Sequence, residues 1–425
     1  MILLGVAIII IMALLGAPVF IVISAFAMLG FFVGDVPISA MIVDIYDTFA
    51  NKPLLYIIPF FTFAGYILAE SKSSYRLVNL SKAILGWLPG GFAVVALICC
   101  AFFTAFTGAS GVTIIALGGI LLPALIDEKY PEKFSLGLLT TSGSLGLLFP
   151  PSLPIILYGA VSSLNIKQLF AAGFIPGVFL ILILSIYGMF IAVKSNVPRV
   201  RFSFKELFKS VNDAKWELFI PVFVIIGIFG GFLTLGEIAA LTCVYSLIIE
   251  IFIYKDIKIS DVPSIVKKSM IMVGGILIVM GAAFGLTNYM VDAQIPMALL
   301  NFMKGFISSK FVFLIMLNIF LLIVGCFLDI YSAIFVVVPL IIPIANNFDV
   351  NPVHLGIIFL TNLEIGYSTP PVGMNLFISC LRFNKPVFAL YKASIPFLIV
   401  LIIGLLIITY APWLSIGIIE LYDIK

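Results

Sequence analysis

The chain has 425 residues, of which 63% are apolar and only 10% charged, with a formal net charge of +3. A soluble domain carries about 25% charged residues, so this composition excludes a water-soluble fold of ordinary surface and leaves the bilayer as solvent. The small net charge identifies no partner by itself, and no nucleic-acid partner is expected.

Roughly 20 apolar residues span a membrane, and the chain offers about a dozen such stretches. Met1–Leu15 is apolar from its second residue and has no basic n-region, which argues against a cleaved signal peptide and for a membrane segment. Gly16-Ala17-Pro18 interrupts the run, so 1–34 is expected to cross twice as two short helices. Residues 35–53 and 71–82 read as loops. Next comes Thr104–Thr113, a polar, glycine-rich island (Thr107, Gly108, Ala109, Ser110, Gly111) between apolar arms at 84–103 and 112–126. It reads as a helical hairpin near 84–126 with its tip inside the membrane.

The segment 134–160 holds Thr140, Thr141, Ser142, Ser144, Gly146, Phe149 and the pair Pro150-Pro151. Two prolines remove two amide donors and bar helix for the residue before each, so a broken helix is expected. Its unpaired carbonyls, with the nearby hydroxyls, form a hard oxygen site suited to Na⁺. Residues 194–216 form a polar connector, and 217–254 is again expected to cross twice, broken near Gly230-Gly231. A second hairpin near 305–346 carries Gly325 and Asp329. A second broken helix near 354–380 carries Asn362, Glu364, Gly366, Ser368, Thr369 and Pro370-Pro371. A tail occupies 413–425. Cys99, Cys100, Cys243, Cys326 and Cys380 all lie in apolar runs without CxxC spacing, which reads as helix packing rather than disulfide or metal chemistry. His354 beside Pro352 reads as a structural loop residue.

A shift of 220 residues brings this punctuation into register: Gly16 falls on Gly236, Gly65 on Gly285, Pro123 on Pro343, Gly146 on Gly366, Pro150-Pro151 on Pro370-Pro371 and Pro176 on Pro396. Gly and Pro fix backbone geometry. The chain therefore reads as two structural repeats, 1–193 and 217–412. Lys and Arg favour cytoplasmic loops, and equivalent loops differ in basic content. Loop 35–53 has Lys52, whereas 255–268 has Lys255, Lys258, Lys267 and Lys268; loop 71–82 has Lys72, Arg76 and Lys82, whereas 291–302 has none. Loop 161–169 has Lys167, whereas 381–392 has Arg382, Lys385 and Lys392. The connector carries Lys194, Arg199, Arg201, Lys205, Lys209 and Lys215 and is expected in the cytoplasm. The repeats then run in opposite directions, with both termini periplasmic. The fold expected is an all-α polytopic membrane protein of two inverted-topology repeats, each with a helical hairpin and a broken helix. Broken helices at matching positions of two repeats point to a transport site at mid-membrane. Ser144, Asp329, Asn362 and Glu364 are the candidate substrate-binding side chains; the two carboxylates stand out because an intramembrane acid is expensive.

At these residues the chain resembles the large membrane subunit of the tripartite ATP-independent periplasmic (TRAP) transporters, over essentially its whole length. The resemblance is carried by Thr107–Ser110, by Gly146–Pro154 with Tyr158-Gly159, by Gly325–Asp329, and above all by Asn362–Phe377 with its Thr369-Pro370-Pro371-Val372-Gly373 core. It implies sodium-coupled, elevator-type uptake of an organic anion such as a C4-dicarboxylate, another carboxylate or sialic acid, in the bacterial inner membrane. It also implies a small four-helix membrane subunit and a periplasmic substrate-binding protein as partners, with Na⁺ as coupling ion and no cofactor. Carried over by position, one Na⁺ site involves Thr107, Ser110, Gly146, Phe149 and Pro151; the other involves Gly325, Gly366, Thr369 and Pro371, mostly through backbone carbonyls. The chain departs from the family at Thr107, where Ser is usual, and at Ala109, where a hydroxylated residue is common. No arginine falls within the expected transport segments, so an anion would be held by hydroxyls, amides and Na⁺, with half-helix N-termini helping.

Three other readings differ in what they require. A stand-alone sodium/anion symporter of a related inverted-repeat class needs no binding protein. An intramembrane enzyme needs clustered acid, base or metal ligands, and one histidine with scattered acids supplies none. A passive channel fits paired broken helices less well than alternating access does.

Overall fold

The computed structural model describes residues 2–34, 36, 37, 39, 42, 43, 45, 46, 54–198, 202–305, 307, 309–422 and 424. Lys52, Arg199 and Arg201 lie outside the described residues, as does most of loop 35–53. Among the described residues the secondary structure is helical throughout, without a strand. Among the described residues seven helices are long and apolar enough to cross a membrane, or eight if the pair Glu132–Leu148 and Leu153–Ser162, bent by 46°, counts as one span. The protein is an all-helical, multi-pass membrane protein.

The first half comprises α1 (Ile2–Leu14), α2 (Val19–Val33), α3 (Leu54–Glu70), α4 (Ser73–Leu85), α5 (Gly91–Thr107), α6 (Ser110–Asp127), α7 (Glu132–Ser142), a 3₁₀ turn (Leu145–Leu148), α8 (Leu153–Ser162) and α9 (Ile166–Lys194). The second comprises α10 (Phe204–Gly230), α11 (Leu235–Ile248, prolonged by a π turn over Ile249–Ile253), α12 (Val262–Asp292), α13 (Ile295–Lys304), α14 (Lys310–Phe327), α15 (Ile330–Asn347), α16 (Pro352–Gly366), α17 (Met374–Phe383), α18 (Val387–Tyr410) and α19 (Trp413–Leu421). Adding 220 to the ends of α6 gives those of α15, and the same shift maps the first residue of α7 onto that of α16.

Local chemistry sets these boundaries. Pro18, which has no amide to donate, precedes α2, and Gly16 turns the chain at φ +86°. The second break follows Gly231, at φ +71°, and α11 opens with a capping box in which Thr234 and Glu237 satisfy each other's amides. Several stretches expected as loops are instead helical in large part. Residues 73–85 form α4, 295–304 form α13, and from Phe204 the connector is the first part of α10, capped by Ser203. A loop expectation drawn from charged residues failed there because such residues also suit a helix with one wet face. Residues 84 and 85 close α4 rather than opening the hairpin, whose first arm begins at Gly91.

The two halves are interleaved rather than placed side by side. Helix α2 packs on α12 while α11 packs on α3, and α6 packs on α17 while α15 packs on α8. Each contact has its partner under the 220-residue shift, so the halves exchange elements about a two-fold relationship. Helix α18 gives their direction. Lys385, just before it, pairs with Glu132 at the start of α7 at 2.6 Å, while Thr409 near its end bonds His354 in the first turn of α16. With 24 residues, α18 is roughly 36 Å long. Helices α7 and α16 thus start at opposite ends of α18 and run towards each other. His354, expected in a loop, is buried in α16, its ring nitrogens 3.1 Å from Ser415 Oγ and from the Thr409 carbonyl. That contact makes it a packing residue.

A charged cluster fastens α4 to the second half. Arg76 reaches Glu217 on α10 at 2.6 Å, Glu250 in the π turn at 3.1 Å and Asp256 at 2.6 Å, and its guanidinium lies 3.7 Å from the centre of the Tyr254 ring. Burial and the neighbouring Glu217 charge push the Tyr254 phenol up to about 12.

Candidate functional site

In the first half, α5 stops at Thr107 because Gly108 takes the left-handed conformation at φ +67° and Ala109 is extended, so that Ser110 starts α6. This tip lies against the break after α7. A Cβ on Gly108 would stand 2.6 Å from the Leu153 side chain, and one on Gly146 would stand 2.1 Å from the Ala101 carbonyl oxygen. Thr104 Oγ1 donates to the Gly143 carbonyl at 2.6 Å. Thr107, Ser110, Gly146, Phe149 and Pro151 therefore gather around one junction, with Thr107 and Gly146 fully enclosed. Phe149 is extended, as a residue before proline must be, and the Pro150-Pro151 bond is cis.

The second half repeats the arrangement. Helix α14 ends where Leu328 and Asp329 become extended, and the backbones of Gly325 and Gly366 touch: a Cβ on Gly366 would stand 2.7 Å from Gly325 Cα. The Gly373 amide donates to the Cys326 carbonyl at 3.0 Å, and Cys326 Sγ lies 3.2 Å from the Thr369 carbonyl oxygen. Pro370-Pro371 is also cis. Gly325, Gly366, Thr369 and Pro371 form the second junction.

Not every carbonyl here is unpaired, as the sequence had suggested. Gly146 and Phe149 accept amides from Phe149 and Ser152 at 3.1 and 2.9 Å, and Gly366 accepts one from Thr369 at 2.9 Å. The Leu147 carbonyl takes the Ser152 hydroxyl at 2.5 Å, and the Pro371 carbonyl takes the Tyr391 hydroxyl. Each such carbonyl keeps a second lone pair, while those of Pro151 and Gly325 accept no hydrogen bond among the described residues.

The junctions converge. Ser144 Oγ donates to the Glu364 carbonyl at 3.0 Å, Ser368 Oγ to the Thr140 carbonyl at 3.4 Å, and the Tyr331 hydroxyl to the Gly108 carbonyl at 2.6 Å. Both tips and both breaks thus form one buried polar centre, with the C-terminal ends of α7 and α16 face to face. Their negative dipole ends favour a cation between them.

The four candidate substrate residues separate. Ser144 is at the centre. Glu364 lies just beside it, its two carboxyl oxygens enclosed and without a hydrogen-bond partner among the described residues, a costly placement that leaves its binding capacity uncommitted. Asp329 is committed: it caps α15, accepting the amides of Tyr331 and Ser332 at 3.1 and 3.0 Å on one oxygen and the Ser332 hydroxyl on the other. Asn362 faces away from the centre, donating to Asn318 Oδ1 at 2.7 Å in a buried network that continues to Thr409.

Compared with known proteins, residues 4–414 match the family described as "Tripartite ATP-independent periplasmic transporter, DctM component". The chain belongs to that family. It is 32% identical to the C4-dicarboxylate TRAP transporter large permease protein DctM of Pseudomonas aeruginosa, covering 89% of each chain. Identity is 33% to the protein of the same name from Rhodobacter capsulatus, covering 90% of each, and 30% to the sialic acid TRAP transporter large permease protein SiaM of Vibrio cholerae, covering 86% of each. Among solved structures, the YdaH transporter of Alcanivorax borkumensis superposes with a TM-score of 0.59 at 13% identity, covering 87% of this chain and 88% of that one; that likeness concerns the fold alone.

In this TRAP large permease chain the structure also brings in residues the candidate set omitted. Asn375 is enclosed, with Nδ2 3.4 Å from Ser368 Oγ and 3.5 Å from Ser144 Oγ, and its Oδ1 has no partner among the described residues. Its place in the first turn after the second double proline was the available signal. Arg382, assigned to a loop, stands in the last turn of α17. A Cβ on Gly119 of α6 would meet Arg382 Nη2 at 1.6 Å, so that glycine leaves the guanidinium its room. One end of a broken helix therefore does carry an arginine.

Proposed function

We propose that this chain is the large, transporting subunit of a sodium-coupled TRAP system that takes up a small organic anion through the bacterial inner membrane. The observation that carries the reading is the meeting of two hairpin tips and two double-proline breaks at one enclosed centre. Irregular backbone at membrane depth is tolerated where it lines a cavity or holds an ion. Thr107 and Ser110 with the carbonyls of Gly146, Phe149 and Pro151 would hold one Na⁺, and the carbonyls of Gly325, Gly366 and Pro371 with Thr369 would hold another. Ser144, Glu364 and Asn375 lie between them, where a Na⁺ pair would offset the charge of a carboxylate cargo.

The partners are a small membrane subunit and a periplasmic binding protein, and both termini face the periplasm. Among the permeases similar to this chain, some are named for C4-dicarboxylates and sialic acid and others for isethionate and ectoine, and the first two classes head the candidate cargoes. Transport by elevator movement would have the tip-and-break core shift against α4, α10 and α11, which Arg76 fastens to one another.

The test is uptake by proteoliposomes containing the chain and its small subunit, with each candidate anion, with and without a Na⁺ gradient and the binding protein. Uptake requiring all components is expected. Equal uptake without the binding protein would favour the stand-alone symporter, and uptake indifferent to Na⁺ would overturn the ion sites.

A further inference from the structure

Two adjoining apolar cavities, of about 650 and 270 Å³, separate the end of α10 and the start of α11 from the first turns of α9. Phe170 and Lys167 line both, and the larger reaches Pro150 at the first break, Phe229 on α10 and Tyr422 beyond α19. Lys167 is the one charged side chain lining either cavity among the described residues, and it has no carboxylate within ion-pair distance among them. It belongs to the first turn of the 29-residue helix α9, whose N-terminal end adds positive potential there. Phe174 and Phe229 are 44% and 40% exposed, so the larger cavity opens sideways to the surroundings, which for this protein are acyl chains. An apolar space does not retain water, and a lysine beside it keeps its ammonium at the polar margin.

An apolar slot with one cation at its rim, without an ion-pair partner among the described residues, is complementary to a molecule with one negative group and a long hydrocarbon chain. We propose that an anionic phospholipid occupies this seam, its phosphate on Lys167 and an acyl chain between Phe170, Phe174 and Phe229. The site stands independently of the ion and cargo assignments above. Because its floor includes Pro150, the lipid would separate the first break from α10 and lubricate movement between them.

The full-length chain carrying Phe174→Trp, in vesicles with a few per cent of brominated phosphatidylglycerol or brominated phosphatidylcholine, tests this by fluorescence quenching above the background of native tryptophans. At least twofold stronger quenching by the anionic lipid is expected, lost with Lys167→Gln, kept with Lys167→Arg, and absent for Phe190→Trp, which is exposed at the far end of α9. Phe229→Trp serves if Phe174→Trp does not fold. Equal quenching by the two lipids, no quenching, or a preference that survives Lys167→Gln would overturn the proposal. So would displacement of the lipid by the small membrane subunit, which would make the seam a protein interface.

Discussion

Ser144 Oγ donates to the carbonyl of Glu364 across 3.0 Å, and the two residues are 220 positions apart. That separation equals the repeat shift, so residues that correspond in the two halves touch each other and must lie beside the two-fold relationship between them. The broken helices meet at the symmetry element, the position at which inverted-repeat transporters place their binding sites. Alternating access requires such a placement, and the predictions below follow from the contacts around it.

Gly366→Ala places a methyl group 2.7 Å from Gly325 Cα, backbone against backbone, and neither partner can rotate away. Overpacking of this kind costs about 1–3 kcal/mol, and the second junction should open. Thermal unfolding in detergent should shift downward, and Na⁺-dependent uptake should be lost. Unchanged uptake would show that this contact does not shape an ion site.

Asp329 serves α15 as its cap, and asparagine caps helices about as well as aspartate. Asp329→Asn should therefore retain most uptake, whereas Asp329→Ala should cost about 1 kcal/mol of stability and reduce the amount of folded protein. If Asn proves as inactive as Ala at equal stability, the negative charge itself takes part in binding.

Removing Arg76 strands Glu217 and Glu250 without their cation, while Asp256 keeps Lys72 at 3.8 Å. Breaking a buried ion pair from one side costs about 3–5 kcal/mol, so Arg76→Leu should lower the unfolding temperature sharply. Pairing it with Glu217→Leu and Glu250→Leu should recover much of the loss. Failure to recover would mean that the cation–π contact with Tyr254 or the packing of the arginine stem dominates.

Ser110→Ala and Thr107→Val each delete one hydroxyl at the first junction while preserving volume closely. Each should raise the Na⁺ concentration for half-maximal uptake at least several-fold, with membrane insertion unaffected. Asn375→Leu should instead weaken uptake through the cargo's KM, while Asn362→Leu should alter stability with little effect on KM. A KM change confined to Asn362 would reverse the placement of the two amides.

The amino-acid sequence alone determined the solvent, the 220-residue repeat and the six interruptions at Gly16–Pro18, Thr107–Ser110, Gly146–Pro151, Gly230-Gly231, Gly325–Asp329 and Gly366–Pro371. These are properties of the backbone. Proline removes a donor and glycine admits left-handed angles wherever they occur, so their effects are local and legible in one dimension. Only the tertiary structure decided what each polar side chain faces. Asp329 and Asn362 appeared equivalent to Glu364 as buried polar residues, yet one caps a helix and one joins Asn318. The partners of Arg76 lie more than 140 residues away. A helical residue turns 100° from its neighbour, so its direction depends on how helices rotate against one another. That rotation is settled by packing between halves distant in the chain, and no single segment records it.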